Sequence, residues 1–71
     1  MEVAARLEGV QPYTIHGSPY LRAYFSHADD PETIHRAQLP AEAVADGLRP
    51  GDAITITYLL RTVMRIDRPA P

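Results

Sequence analysis

Two histidines, His27 and His35, bracket a turn that carries Asp29, Asp30 and Glu32. Two imidazoles and one carboxylate can make a three-ligand zinc site with one position open to water. Water on such a metal is activated for hydrolysis. Paired histidines beside a carboxylate-rich turn more often simply hydrogen-bond or face solvent. The expectation is therefore no metal and no cofactor, with His27 and His35 as the candidate ligands if a metal binds.

A second constellation is aromatic and basic. Tyr20, Arg22 and Tyr24 alternate along one stretch, Arg36 and Gln38 along the next, and Tyr13 and His16 lie upstream. Arg61 falls in a tight turn near the end of the chain. Tyrosines on a sheet stack bases while arginines pair with phosphates. The same two residue types are enriched at the hot spots of protein interfaces. They are also ordinary cross-strand neighbours. A binding surface of Tyr13, Tyr20, Arg22, Tyr24, Arg36, Gln38 and Arg61 is the site expectation.

Other catalytic chemistry lacks its residues. There is no cysteine to act as nucleophile, disulfide partner or thiolate ligand, and no lysine for a Schiff base or a P-loop. Ser18 and Ser26 lack the strand-turn-helix setting of a nucleophile elbow, and no glycine-rich phosphate loop occurs. Asp52, in Pro-Gly-Asp, reads as a turn carboxylate that accepts local backbone N–H groups. The chain is expected not to be an enzyme.

The elements that must hold these residues follow from periodicity. Val3, Ala5 and Leu7 alternate with polar or small residues as a half-buried strand does. Residues 11–19 are rich in turn formers and read as a loop or a frayed strand extension. Residues 20–28 form a second strand with Leu21, Ala23 and Phe25 on one face, and residues 32–39 a third. Placing residues whose numbers sum to 62 opposite one another sets Phe25 against Ala37, Tyr24 against Gln38 and His27 against His35. One face is then apolar and the other polar, as a one-sided sheet requires. A slip of one residue would mix the faces.

Residues 40–46 suggest a short helix, with Pro40 in its first turn and Gly47 just past its end. Ala43, Val44 and Leu48 would pin it over an opening in the sheet. The fourth strand carries Ile54, Ile56, Tyr58 and Leu60 on one face. The fifth, residues 62–68, sets Met64 and Ile66 against Val63, Arg65 and Asp67. That leaves Leu59 and Val63 as outward apolar residues. Residues 1–68 are expected to be one domain and 69–71 a loose Pro-rich tail.

Charge and length narrow the partners. A chain of 71 residues buries only about 60% of its extended surface and gains from covering apolar area with a partner. The net charge is −2, which counts against strong nonspecific binding of nucleic acid. No stretch approaches the roughly 20 apolar residues of a membrane span. The expectation is a soluble, cytoplasmic protein without a membrane.

The order β-β-β-α-β-β resembles the OB-fold, a five-stranded Greek-key barrel. That resemblance implies a mainly β protein, a small barrel with one short helix between strands 3 and 4. It also implies oligonucleotide or oligosaccharide binding on the face of strands 2–3 and the neighbouring loops. The segment "QLPAEAVADGLRPGDAITI" resembles the repeat unit of AbrB-type regulators, which dimerise and bind duplex DNA, but its helix lacks their basic residue. The ending "GDAITITYLLRTVMRID" is similar to that of the HypC/HupF hydrogenase-maturation chaperones. Their working cysteine follows the initiator methionine, where this chain has Glu2. The functional expectation is a small binding or adaptor module acting through protein contacts or self-association. The alternative is a single-stranded DNA- or RNA-binding protein.

Overall fold

A computed structural model describes residues 1–70 of the chain; Pro71, the end of the expected tail, lies outside the described residues. The five strands are β1 (Glu2–Ile15), β2 (Ser18–His27), β3 (Asp30–Pro40), β4 (Ala53–Leu59) and β5 (Thr62–Asp67). They form one antiparallel sheet in the order β3-β2-β1-β4-β5. The sheet is not closed: β3 and β5 approach one another but form no ladder. The described chain contains no helix long and apolar enough to cross a membrane.

The turn-rich stretch after Gly9 is the strand extension rather than the loop. β1 runs on to Ile15, and two residues with positive φ, His16 (49°) and Gly17 (82°), return it to β2. That pair of angles suits a two-residue hairpin whose twist matches the strands. Pro12 is tolerated because this half of β1 is paired on one side only. Glu8 is an extra residue between the pairs Leu7↔Phe25 and Gly9↔Tyr24. Its carboxylate turns to accept the hydroxyl of Ser26 at 2.7 Å. Ser26, expected on the polar surface, is instead 2% exposed, and Glu8 is the partner that satisfies it.

Between β2 and β3 the structure corrects the register by one residue pair. Ala23 faces Ala37, Tyr24 faces Arg36 and Phe25 faces His35, sums of 60 rather than 62. The same residues stay on the same faces, because a shift of two preserves the alternation. Beyond Phe25 the hairpin bulges. His27 faces Asp30, so Ser26 alone stands against residues 31–34, and His27 and His35 are not opposite one another.

The expected helix over residues 40–46 is a single 3-10 turn, Ala41–Ala43, with no side-chain cap. Val44 leaves it in extended geometry, φ −122° and ψ 132°, and forms a parallel bridge to Ile66 of β5. Its β-branched side chain joins the core instead of continuing a helix. The core proper is Ala5, Leu7, Ala23, Phe25, Leu39, Val44, Ile54, Ile56 and Ile66. Ala43 and Leu48 pack against it from the connecting segment, as expected.

β5 departs from simple alternation. Thr57 faces Arg65 and Tyr58 faces Val63, so Met64 is an extra residue and the parity changes there. Val63 consequently packs on the core and Met64 is exposed, the reverse of the expectation for both. Leu60 tips the β4–β5 turn at φ 57° and is 91% exposed, while Leu59 remains outward.

Two stability changes follow, both read by urea denaturation. Glu8→Ala leaves the buried Ser26 hydroxyl unpaired and should cost about 1–3 kcal/mol. Leu60→Gly removes an exposed side chain from left-handed backbone and should stabilise by roughly 1 kcal/mol. A Glu8→Ala protein as stable as the wild type would contradict the role given to the bulge.

Candidate functional site: a tyrosine–arginine face

The residues that face away from the core on β1, β2 and β3 line up in rows. Gly9, Tyr24 and Arg36 form one row, Gln11, Arg22 and Gln38 the next, and Tyr13, Tyr20 and Pro40 the third. Six of the seven expected surface residues therefore share one face. Arg61 does not join them. It sits in the β4–β5 turn, near the Glu2 end of β1, whereas Tyr13 lies towards the other end.

The face is ordered by its own contacts. The Tyr13 and Tyr20 rings stack with centroids 5.9 Å apart and planes 29° apart. The Arg22 guanidinium lies over Tyr13, 5.4 Å from the ring centroid, within cation–π range. Arg22 also donates a long hydrogen bond from Nη1 to Gln11 Oε1, at 3.4 Å. Tyr13 Oη and Arg22 Nε are enclosed without partners. Tyr24 lies over Gly9, where a Cβ would meet its ring at 3.7 Å, an ordinary contact. Arg36 and Gln38 are exposed.

Gln11 is the member that sequence reasoning missed. Once β1 is extended past Gly9, alternation puts Gln11 opposite Arg22. Asp52 behaves as a turn carboxylate, accepting the Arg49 backbone N–H at 2.8 Å. The same turn clips to β1, with Gly51 N–H donating to Leu7 O at 2.7 Å and Leu7 N–H to Asp52 O at 2.9 Å.

The histidines form a cluster on the core side of the sheet. Their rings stack at 4.2 Å, with planes 21° apart, and Phe25 stacks on His35 at 5.5 Å. His27 Nε2 and Tyr58 Oη are hydrogen-bonded at 2.8 Å, with the donor set by the imidazole tautomer. Among the described residues no group of three or more His, Cys, Asp or Glu side chains gathers as a metal site, so the three-ligand zinc arrangement is not formed. Stacked imidazoles also direct their ring lone pairs along parallel planes rather than onto one point. Tyr58, not an acidic side chain of the turn, is the polar partner the sequence reading overlooked.

An open apolar hollow of about 220 Å³ lies on the core side, between the upper halves of β1 and β2 and residues 41–48. The interior is thus less completely filled than a small barrel leads one to expect. No protein-family model, no curated protein and no solved structure matches this chain.

Burial raises the Tyr58 phenol above the ordinary tyrosine value of 10.0. The fold therefore favours the neutral phenol, and the stability it adds is lost as pH rises above 10 towards the folded-state value. Absorbance titration at 295 nm should show a phenolate transition above pH 10 that Tyr58→Phe removes. The variant should also lose less stability above that pH. Amplitude lost by the variant at the ordinary tyrosine value, rather than above it, would show that Tyr58 is not shielded.

Proposed function

We propose that the protein is a small non-enzymatic binding module that acts through protein–protein contacts, with the tyrosine–arginine face of β1–β3 as its site. The observation that carries this reading is the state of Tyr13, Tyr20 and Arg22. They are already stacked on one another, so little side-chain freedom remains to be lost on docking. Tyrosine and arginine held in this way are the residue types that anchor protein interfaces.

The same packing weighs against single-stranded nucleic acid as the partner. Base stacking needs open aromatic faces, and Tyr13 and Tyr20 each have one face taken by the other ring, with Arg22 also over Tyr13. The Arg22 guanidinium is turned onto Tyr13 and Gln11, leaving Arg36, with Arg6 further along β1, as the exposed cations of this side. A net charge of −2 gives little long-range attraction for phosphate.

For the fold we infer an OB-type arrangement. Its support is the strand order β3-β2-β1-β4-β5, the approach of β3 to β5, and the connecting segment over the gap between them. On that reading the site is the face such folds commonly use.

The test compares wild type with Tyr24→Ala/Arg36→Glu as immobilised bait in lysate of the source cells. A specific protein retained by the wild type at about 500 mM salt and lost with the variant is the expected result, since apolar contacts survive screening. The contrary result is a titration with short single-stranded DNA or RNA. There, shifts of the Arg22, Tyr24 and Arg36 amides that fade between about 50 and 200 mM salt would establish the nucleic-acid reading instead.

A further inference from the structure

The upper half of β1 offers an unused sheet edge. β4 pairs with Glu2–Arg6 only, and the Gly51–Asp52 turn pairs with Leu7; beyond that point β1 is bonded to β2 alone. Which groups face the open edge follows from the hairpin. Ile15 and Ser18 flank a two-residue turn and so form a mutually hydrogen-bonded pair. Alternation then turns Ile15, Tyr13 and Gln11 towards β2, and the N–H and C=O groups of Thr14, Pro12 and Val10 outwards. Proline has no N–H, so the edge presents the N–H groups of Val10 and Thr14 and the carbonyls of all three.

The hollow lies under this edge. Leu7, Val10 and Pro12 of β1 line one side, Leu21 and Ala23 its floor, and Val44 and Leu48 are on the far side. Its volume, about 220 Å³, is below the roughly 300–1,000 Å³ of small-molecule pockets and suits one aliphatic side chain. A strand-shaped row of backbone groups beside a side-chain pocket is the arrangement that captures extended peptides.

The geometry points to β1 residues 10–14 as a docking edge for an extended segment of another protein. One Leu- or Ile-sized side chain of that segment fills the hollow, and a basic residue flanks it. The basic preference comes from Glu42 on the 3-10 turn beside the hollow and from Asp46, which lines it. Arg68 donates to the Asp46 backbone carbonyl at 2.6 Å, and the Asp46 carboxylate forms no ion pair among the described residues. A second copy fits poorly. Antiparallel self-pairing centred on this edge would set Pro12 against Pro12, and neither could donate.

The hollow is on the opposite side of the sheet from the tyrosine–arginine face, and the proposal does not rest on that face's function. The probe is the peptide acetyl-Lys-Val-Leu-Val-Lys-amide, added to the ¹⁵N-labelled full chain. The expected result is saturable shifts at Val10, Thr14 and Leu48, with slowed hydrogen exchange of the Val10 and Thr14 amides. Ala41→Phe, at the rim of the hollow, should weaken binding at least tenfold. Asp46→Lys should weaken it too, with recovery when the peptide's lysines become glutamates. Both substitutions are at positions outside the buried core, and their amide spectra report whether the fold is kept. No shift at millimolar peptide would overturn the proposal. Shifts confined to Tyr20, Arg22, Tyr24 and Arg36 would also overturn it, while favouring the other face. Failure here with a partner still held by that face leaves the function proposed above intact.

Discussion

The pairing of residues 2–6 on β1, between β4 on one side and the end of β2 on the other, is the constraint on which the molecule depends. The β1–β2–β3 meander and the β4–β5 hairpin share no other ladder; beyond it, the connecting segment adds the bridge from Val44 to Ile66. A chain of this size has no disulfide to hold two hairpins together. It relies on Ala5 and Leu7 of β1 meeting Phe25, Ile54 and Ile56 in one core. Since buried area scales poorly in small domains, each such contact carries a large share of the whole stability.

The length of β1 then divides the molecule by function. Its first half is committed to both neighbours and carries the core. Its second half has one neighbour, which frees an edge and lets both of its faces be used. Gln11 and Tyr13 point to the tyrosine–arginine face, and Val10 and Pro12 point to the hollow. Glu8 marks the change, an extra residue that re-aims the strand while its carboxylate satisfies Ser26.

Much of this was legible in the residues. Alternation in β2 and β3 assigned Tyr20, Arg22, Tyr24, Arg36 and Gln38 to the correct side, because the assignment depends on parity alone. The exact partners did not follow. Sums of 60 and 62 bury the same side chains, and the choice between them lies in the irregular pairing of Ser26 with residues 31–34, for which no local pattern speaks. A bulge hid Met64, because one inserted residue reverses the later alternation, whereas Ser26 keeps its expected side and is buried where the extra residue Glu8 accepts its hydroxyl. The expected helix failed at Val44, where a parallel bridge to distant Ile66 outweighed local preference. The histidine cluster was foreseen as a pair, but its geometry, stacked and closed by Tyr58 from β4, depends on tertiary packing.

The β2–β3 register sets which side chains stand together in the rows of the tyrosine–arginine face, so it is the first thing to measure. Interstrand nuclear Overhauser effects on the ¹³C,¹⁵N-labelled chain would do so. Cross-peaks linking Arg22 with Gln38 and Tyr24 with Arg36 are expected from the pairing in the structure. Cross-peaks linking Arg22 with Pro40 and Tyr24 with Gln38 would contradict it and separate Arg36 from Tyr24 in the rows of the face.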